Sequence, residues 1–249
     1  MTNSANLAPR AKSPVKLASL SIFFPCFNEE KNVPIMVNQA LKVLPKVAKK
    51  FEIIVVNDGS DDRTKQVTQQ LMAQYSQVKL VSHQQNQGYG ATVRTGFSVC
   101  QYDWIFFTDG DAQFDLQELT DFVSYSQNYQ AILGFRKQRA DGFKRALFAK
   151  LYKFYIDALF RVHVKDIDCA FKLIKAELIK DLDFFSNGAF ISAELLYKLK
   201  KKKVRFKQLP VNHYQRQHGK STGANWRVIA IGLLEPLKLY LKMKFNLNL

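Results

Sequence analysis

The sequence predicts an α/β protein built on a doubly wound, mostly parallel sheet, with amphipathic helices appended at its C-terminal end. Apolar runs of strand length alternate with segments of helical periodicity from residue 18 onward. The first four of these runs each stop at a polar edge of Asn, Asp, Gly or Glu, which is where open α/β sheets place their ligands. Beyond Arg136 the alternation gives way to helical segments that mix aromatic, aliphatic and basic residues.

Residues 18–24 make the first strand and run into Pro25-Cys26-Phe27-Asn28-Glu29-Glu30, after which Met36, Val37, Ala40, Leu41 and Leu44 mark a helix face. Residues 51–56 form the second strand, ending in Asn57-Asp58-Gly59-Ser60-Asp61-Asp62. Val67, Leu71 and Tyr75 mark the next helix, with Ser60 or Asp61 as its N-cap. Residues 78–81 are a short third strand before Asn86-Gln87-Gly88-Tyr89-Gly90 and a helix through Val93 and Phe97. Residues 104–108 are the fourth strand, followed by a helix over 116–125 capped by Asp115. Residues 131–135 are the fifth, ending at Arg136. A helix over 143–160, one over 189–200, a strand over 204–209, a polar loop over 213–225 and a helix over 228–244 complete the pattern. The expected organisation is a mobile polar tail (1–16), one α/β domain (17–225) and a C-terminal amphipathic helix (226–249).

With 249 residues, 47% of them hydrophobic, the chain can bury a substantial core. The net charge of +16 favours anionic partners: nucleic acid, nucleotide phosphates or an acidic lipid surface. Cys26, Cys100 and Cys169 fall in separate segments, which indicates neither a zinc site nor a disulfide framework and fits a reduced, cytosolic setting. The four histidines lack metal-site spacing, leaving the aspartates as candidate ligands. Residues 17–24 run into Pro25 without a small-residue cleavage site and so do not read as a signal peptide. No stretch reaches the roughly 18 uncharged apolar residues a bilayer span needs.

The fourth strand, Trp104-Ile105-Phe106-Phe107-Thr108, delivers Asp109-Gly110-Asp111. Side chains two apart on an extended chain point the same way, so the pair can face one ion. Hard oxygen ligands suit Mg²⁺ or Mn²⁺. An acidic turn without a metal is the other reading of the same residues.

In order, Phe-Pro-Cys-Phe-Asn-Glu-Glu, Val-Asn-Asp-Gly-Ser-Asp-Asp, Asn-x-Gly and Asp-Gly-Asp-Ala-Gln at successive strand ends resemble the family 2 glycosyltransferases, which have the GT-A fold. The nearest likeness is to the dolichyl- and polyprenyl-phosphate hexosyltransferase branch. It covers residues 20–224, including 166–173, 187–189 and 213–223. The resemblance implies a nucleotide site at Pro25, Phe27, Glu29 and Asp58, although Pro25 could simply shape its turn and Asp58 simply cap a helix. It implies metal ligation by Asp109 and Asp111, with Gln113 as a further metal or water ligand. Phosphate-binding positions match Arg136, Arg216, Lys220 and Ser221. The family more usually has Asp-Ala-Asp, so Gly110 removes only a methyl group and should be tolerated.

The implied reaction is inverting, metal-dependent transfer of a hexosyl unit from a UDP- or GDP-linked sugar to a polyprenyl phosphate. That acceptor, with a second pKa of about 6, needs positioning more than deprotonation. A sugar or other hydroxyl acceptor is the alternative and would need a base, for which Asp168 and Glu194 are the candidates. Glu194 reads equally well as a polar residue on a helix flank. A lipid acceptor implies a membrane surface, and the helix over 143–160 and the tail bearing Arg227, Lys238, Lys242 and Lys244 have the mixed character of interfacial helices. Packing of the tail on the sheet is the other possibility. The expected location is cytoplasmic, peripheral at the inner membrane face. Rivals of another class are a basic nucleic-acid- or membrane-binding module without catalysis, and an inactive scaffold. Acidic clusters at the strand ends argue against nucleic acid.

Overall fold

The computed structural model describes residues 15–137, 143–219 and 226–245, with 143–148 and 226–230 described by backbone alone. The expected tail lies outside them up to residue 14; Val15 packs against the core and Lys16 Nζ donates to Pro45 O.

Strands β1 (Leu17–Cys26), β2 (Ala48–Asn57), β3 (Val78–Ser82), β4 (Trp104–Phe107), β5 (Ala131–Arg136), β6 (Lys172–Lys175) and β7 (Phe206–Val211) form one sheet in the order β3-β2-β1-β4-β6-β5-β7. All neighbours run parallel except β6, which lies antiparallel between β4 and β5. Strand β6 is not expected from the sequence. Four residues with a lysine at each end give no strand periodicity, yet Lys172, Leu173 and Ile174 are buried between β4 and β5.

Alternation along the central strands fills both faces. Phe24 and Phe106 join the core with α1 (Asn32–Val47) through Met36, Val37 and Leu44. Phe23 and Phe107 stack at 5.4 Å on the other face and meet Phe97 of α3 (Tyr89–Val99). Helix α2 (Thr64–Gln74) starts later than the sequence suggested: Asp62 accepts from Thr64 N, while the Ser60 hydroxyl is engaged by Asn28 N. Asp115 does cap its segment, accepting from Gln117 N, but a 3-10 turn there precedes the short α4 (Leu119–Ser124).

Helices α5 (Phe143–Phe160), α6 (Ile191–Lys201) and α7 (Trp226–Phe245) share a third core built on Ile156, Phe160, Phe190, Leu196 and Leu239. Leu151 and Phe154 of α5 are 57% and 75% exposed, and α7 exposes Ile231, Leu233, Leu234 and Leu237. Among the described residues no helix is long and apolar enough to cross a membrane.

Candidate active site

The polar edges of β1, β2 and β4 meet at one end of the sheet, since the three strands are adjacent and parallel. At the end of β1, Asn28 takes a left-handed φ of 58° and its side chain accepts from Asp61 N at 2.9 Å, joining the first loop to the second. Glu29, 8% exposed, accepts from Asn32 Nδ2 at 2.6 Å and from Arg216 Nη2 at 2.5 Å. Burial pushes the Glu29 carboxyl up from its ordinary value, and Asn32 and Arg216 pull it back.

After β4 the chain turns through Asp109, Gly110 and Asp111, with Ala112 at a left-handed φ of 58°. Tyr89 Oη donates to Asp109 Oδ1 at 2.8 Å. Asp111 Oδ1 accepts from Gln113 N at 3.1 Å, and its Oδ2 faces Arg216 Nη1 at 3.8 Å. Asp109 is pushed up to about 7, first by desolvation and then by the charge of Asp111, with Tyr89, Arg136 and Lys172 opposing. The charge of Asp111 raises Asp109 while a guanidinium faces Asp111, and a divalent cation would relieve that arrangement. The pair fits Mg²⁺ or Mn²⁺, ions that commonly take one or two carboxylates and draw their other ligands from phosphate and water. Among the described residues no group of three or more His, Cys, Asp and Glu could hold a metal, so no dedicated protein cage competes with that arrangement.

Gly110 has a stricter role than a missing methyl. A Cβ there would lie 2.4 Å from Cys26 Sγ and 3.0 Å from Pro25 O, so the turn and the buried thiol are fitted to each other. Desolvation and the surrounding carboxylates, Glu29 first, push the Cys26 thiol well up and keep it protonated.

The other sequence candidates divide. Pro25 is buried in β1 opposite Val56, while Phe27 at its end is half-buried. Asp58 is 3% exposed, and its oxygens accept from Gln87 N and Gly88 N at 2.9 Å and meet His83 Nδ1 at 2.6 Å. It fastens the loop that carries Tyr89. Gln113 donates from Nε2 to Tyr214 O at 2.7 Å and anchors the late loop. Arg136 forks onto Asp166 at 2.7 and 2.8 Å. Asp168 is half-buried, near enough to raise Tyr89 and Tyr152. Lys220 and Ser221 lie outside the described residues.

Glu194 sits away from the acidic turn's surface. It is fully buried in the first turn of α6, its oxygens accept from Phe185 N at 2.8 Å and Ser186 N at 2.9 Å, and Lys198 pairs with it at 3.0 Å. A carboxylate so enclosed serves as an anchor for the 185–186 turn.

Two residues escaped the sequence reading. Tyr89 stands between two glycines at the start of α3, a placement that sequence alone leaves as loop chemistry. Lys172 is fully buried, donating to Ile167 O at 3.3 Å and to Cys169 O, and desolvation lowers its pKa against the charges of Cys169, Asp166, Asp168 and Asp109. A lysine inside an apolar run was its only signal. Between the first loop and the late loop opens a cleft of about 400 Å³, lined by Asn28, Glu29, Asn32, Asp62, Gln217 and His218. The buried Asn32 Oδ1 at its wall has no hydrogen-bond partner.

This sheet, with an acidic turn leaving its central strand beside a polar cleft, defines a protein of the GT-A class. The chain belongs to glycosyl transferase family 2, whose family model matches residues 21–183, well over half its length. It is 27% identical over 242 residues to the dodecaprenyl-phosphate galacturonate synthase of Rhizobium johnstonii, covering 94% of this chain and 70% of that protein. It is 24% identical over 205 residues to the undecaprenyl-phosphate 4-deoxy-4-formamido-L-arabinose transferase of Aeromonas hydrophila, covering 81% and 62%. Among solved structures, glucosyl-3-phosphoglycerate synthase of Mycobacterium tuberculosis, crystallised with Mn²⁺, UDP and phosphoglyceric acid, superposes with a TM-score of 0.67 at 19% identity, over 88% of this chain and 78% of that one. The chain spans 50% to 80% of the length of the curated relatives it matches.

Proposed function

We propose that the protein transfers a hexosyl unit, with inversion, from a UDP- or GDP-linked sugar to a polyprenyl phosphate at a membrane surface. The observation that supports this most is the Asp109–Asp111 pair at the edge of β4 with the Arg216 guanidinium 3.8 Å from Asp111. The cleft beside Glu29, at about 400 Å³, suits a nucleoside, and Asn32 Oδ1 supplies an acceptor for a base or ribose donor. Asp109 and Asp111 would hold Mg²⁺ or Mn²⁺, which supplies charge neutralisation at the departing diphosphate. Arg216, engaged with Glu29 across the same space, is the side chain suited to a phosphate oxygen. Tyr89 keeps Asp109 oriented, and Gln113 holds Tyr214 and with it the loop bearing Arg216.

The enclosure of Glu194, with Asp168 one of the two base candidates, supports the phosphate acceptor over a hydroxyl one. A hydroxyl nucleophile needs a base near the anomeric carbon, whereas a phosphate dianion is already nucleophilic at neutral pH. The lipid half rests on the outer faces of α5 and α7. Leu151 and Phe154 on one, and Leu234, Leu237 and Phe245 with Lys238, Lys242 and Lys244 on the other, combine exposed apolar area with positive charge. Peripheral attachment at the cytoplasmic face follows from such a surface and such an acceptor.

Radiolabelled nucleotide-sugars incubated with the protein and a membrane extract test the reaction. Label in the lipid phase, released by mild acid and dependent on Mg²⁺ or Mn²⁺, is expected. Water-soluble product alone would overturn the polyprenyl acceptor.

A further inference from the structure

We propose that Glu235 of α7 is a positioning residue for the Asp109 carboxylate, acting through the 186–188 turn and Tyr89. Glu235 Oε2 accepts from the Ser186 hydroxyl at 2.6 Å, and Oε1 accepts from Asn187 N at 3.0 Å. Glu194 holds the same turn from beneath, so a carboxylate from each of two helices fixes it.

The turn presses directly on the start of α3. Asn187 O accepts from Gly90 N at 2.9 Å, and Arg94, one turn along α3, donates to Phe184 O at 3.2 Å and to Asn187 Oδ1. The two glycines flanking Tyr89 make the approach possible: a Cβ on Gly88 would lie 2.8 Å from Asn187 O, and one on Gly90 would lie 2.6 Å from Asn187 C. Tyr89 between them directs its hydroxyl to Asp109. Its other flank is already fixed by Asp58, which accepts from Gln87 N and Gly88 N. Consecutive contacts therefore join α7, whose outer face is apolar and exposed, to a carboxylate at the sheet edge.

This inference rests on the reading of Asp109 as a metal ligand, and its test separates the two. Mn²⁺ affinity is measured calorimetrically for the intact protein and for Glu235→Ala, Glu235→Gln, Tyr89→Phe and the Glu235→Ala/Tyr89→Phe double variant. Amide hydrogen exchange of residues 88–93 is followed in parallel. Glu235→Ala should weaken Mn²⁺ binding about tenfold and deprotect the Gly90 amide, the size expected when a charged hydrogen-bond acceptor is lost. Glu235→Gln, which still accepts from Asn187 N, should stay near wild type. In the Tyr89→Phe background, Glu235→Ala should add little. Equal losses with and without the Tyr89 hydroxyl, or unchanged exchange at Gly90, would overturn the proposal. A wild-type protein that binds no Mn²⁺ would overturn the metal reading instead, while the exchange arm still decides the link to Glu235. If Glu235→Ala does not fold, Ser186→Ala removes one of the two contacts and is held to the same outcomes.

Discussion

Arg216 donates to Glu29 at 2.5 Å, tying the late loop to the first loop across 187 residues of chain. The same guanidinium faces Asp111 at 3.8 Å, so one cation links the wall of the polar cleft to the acidic turn. Replacing Arg216 with Ala should weaken UDP or GDP binding about tenfold or more, the order of a lost charge-assisted phosphate contact. The bare nucleoside should bind almost unchanged. Calorimetry with UDP against uridine checks it, and equal losses for both would assign Arg216 to the nucleoside.

Asp109→Asn and Asp111→Asn remove charge where a divalent ion would sit. Each should abolish the Mn²⁺-induced thermal shift and lower turnover about a thousandfold, consistent with several kcal/mol of transition-state neutralisation. Either variant with wild-type metal dependence would show the pair to be an acidic turn only.

The titration of Asp109 gives a pH dependence of known sign. Its folded value of about 7 lies above the unfolded value near 3.9. In metal-free protein its contribution to stability is therefore complete below about pH 4 and lost as pH rises through about 7. Metal needs the ionised form, so the stabilisation by Mn²⁺ should grow between roughly pH 6 and 8. Melting curves in chelator and in Mn²⁺ across that range test it, and Asp109→Asn should flatten both trends.

The contact between Gly110 and Cys26 sets an order of tolerated changes. Gly110→Ala alone should cost about 1–3 kcal/mol through overpacking against the buried thiol. Cys26→Ala/Gly110→Ala should recover most of it, because the smaller side chain leaves room for the methyl. Denaturant midpoints of the single and double variants give the coupling, and simple additivity would refute it.

Glu194→Gln should affect folding and leave chemistry alone. A glutamine cannot accept with both of its terminal atoms, so one of the two N–H groups at Phe185 and Ser186 loses its partner, at about 1–3 kcal/mol. Turnover per folded molecule should not change. A selective fall in kcat with unaltered stability would restore Glu194 as a base.

Several parts of this were legible in the sequence because they are local. The apolar runs of β1, β2 and β4 and the polar residues ending them lie within single windows of chain, and adjacency in a parallel sheet brings those ends together. Asp109 and Asp111 could be picked out for that reason. So could the mixed basic and apolar character of α7, since a helix face follows from spacing alone.

What the chain could not disclose depended on partners distant in sequence. Whether Glu194 was a base or an anchor turned on the amides of residues 185 and 186 closing over it. That Asp58 holds the loop at Gln87 and Gly88 was equally invisible, since those amides lie some thirty residues on. Strand β6 is defined by its pairing with β4 and β5, which buries Lys172 where the charge of Asp109 acts on it. The order of residues thus determined which elements form and which edge carries the acids, because hydrophobic periodicity and strand ends are short-range properties. The tertiary structure decided which carboxylates remain on the cleft and which are consumed as hydrogen-bond acceptors, because burial and the supply of donors are set by segments that meet only when the chain is folded.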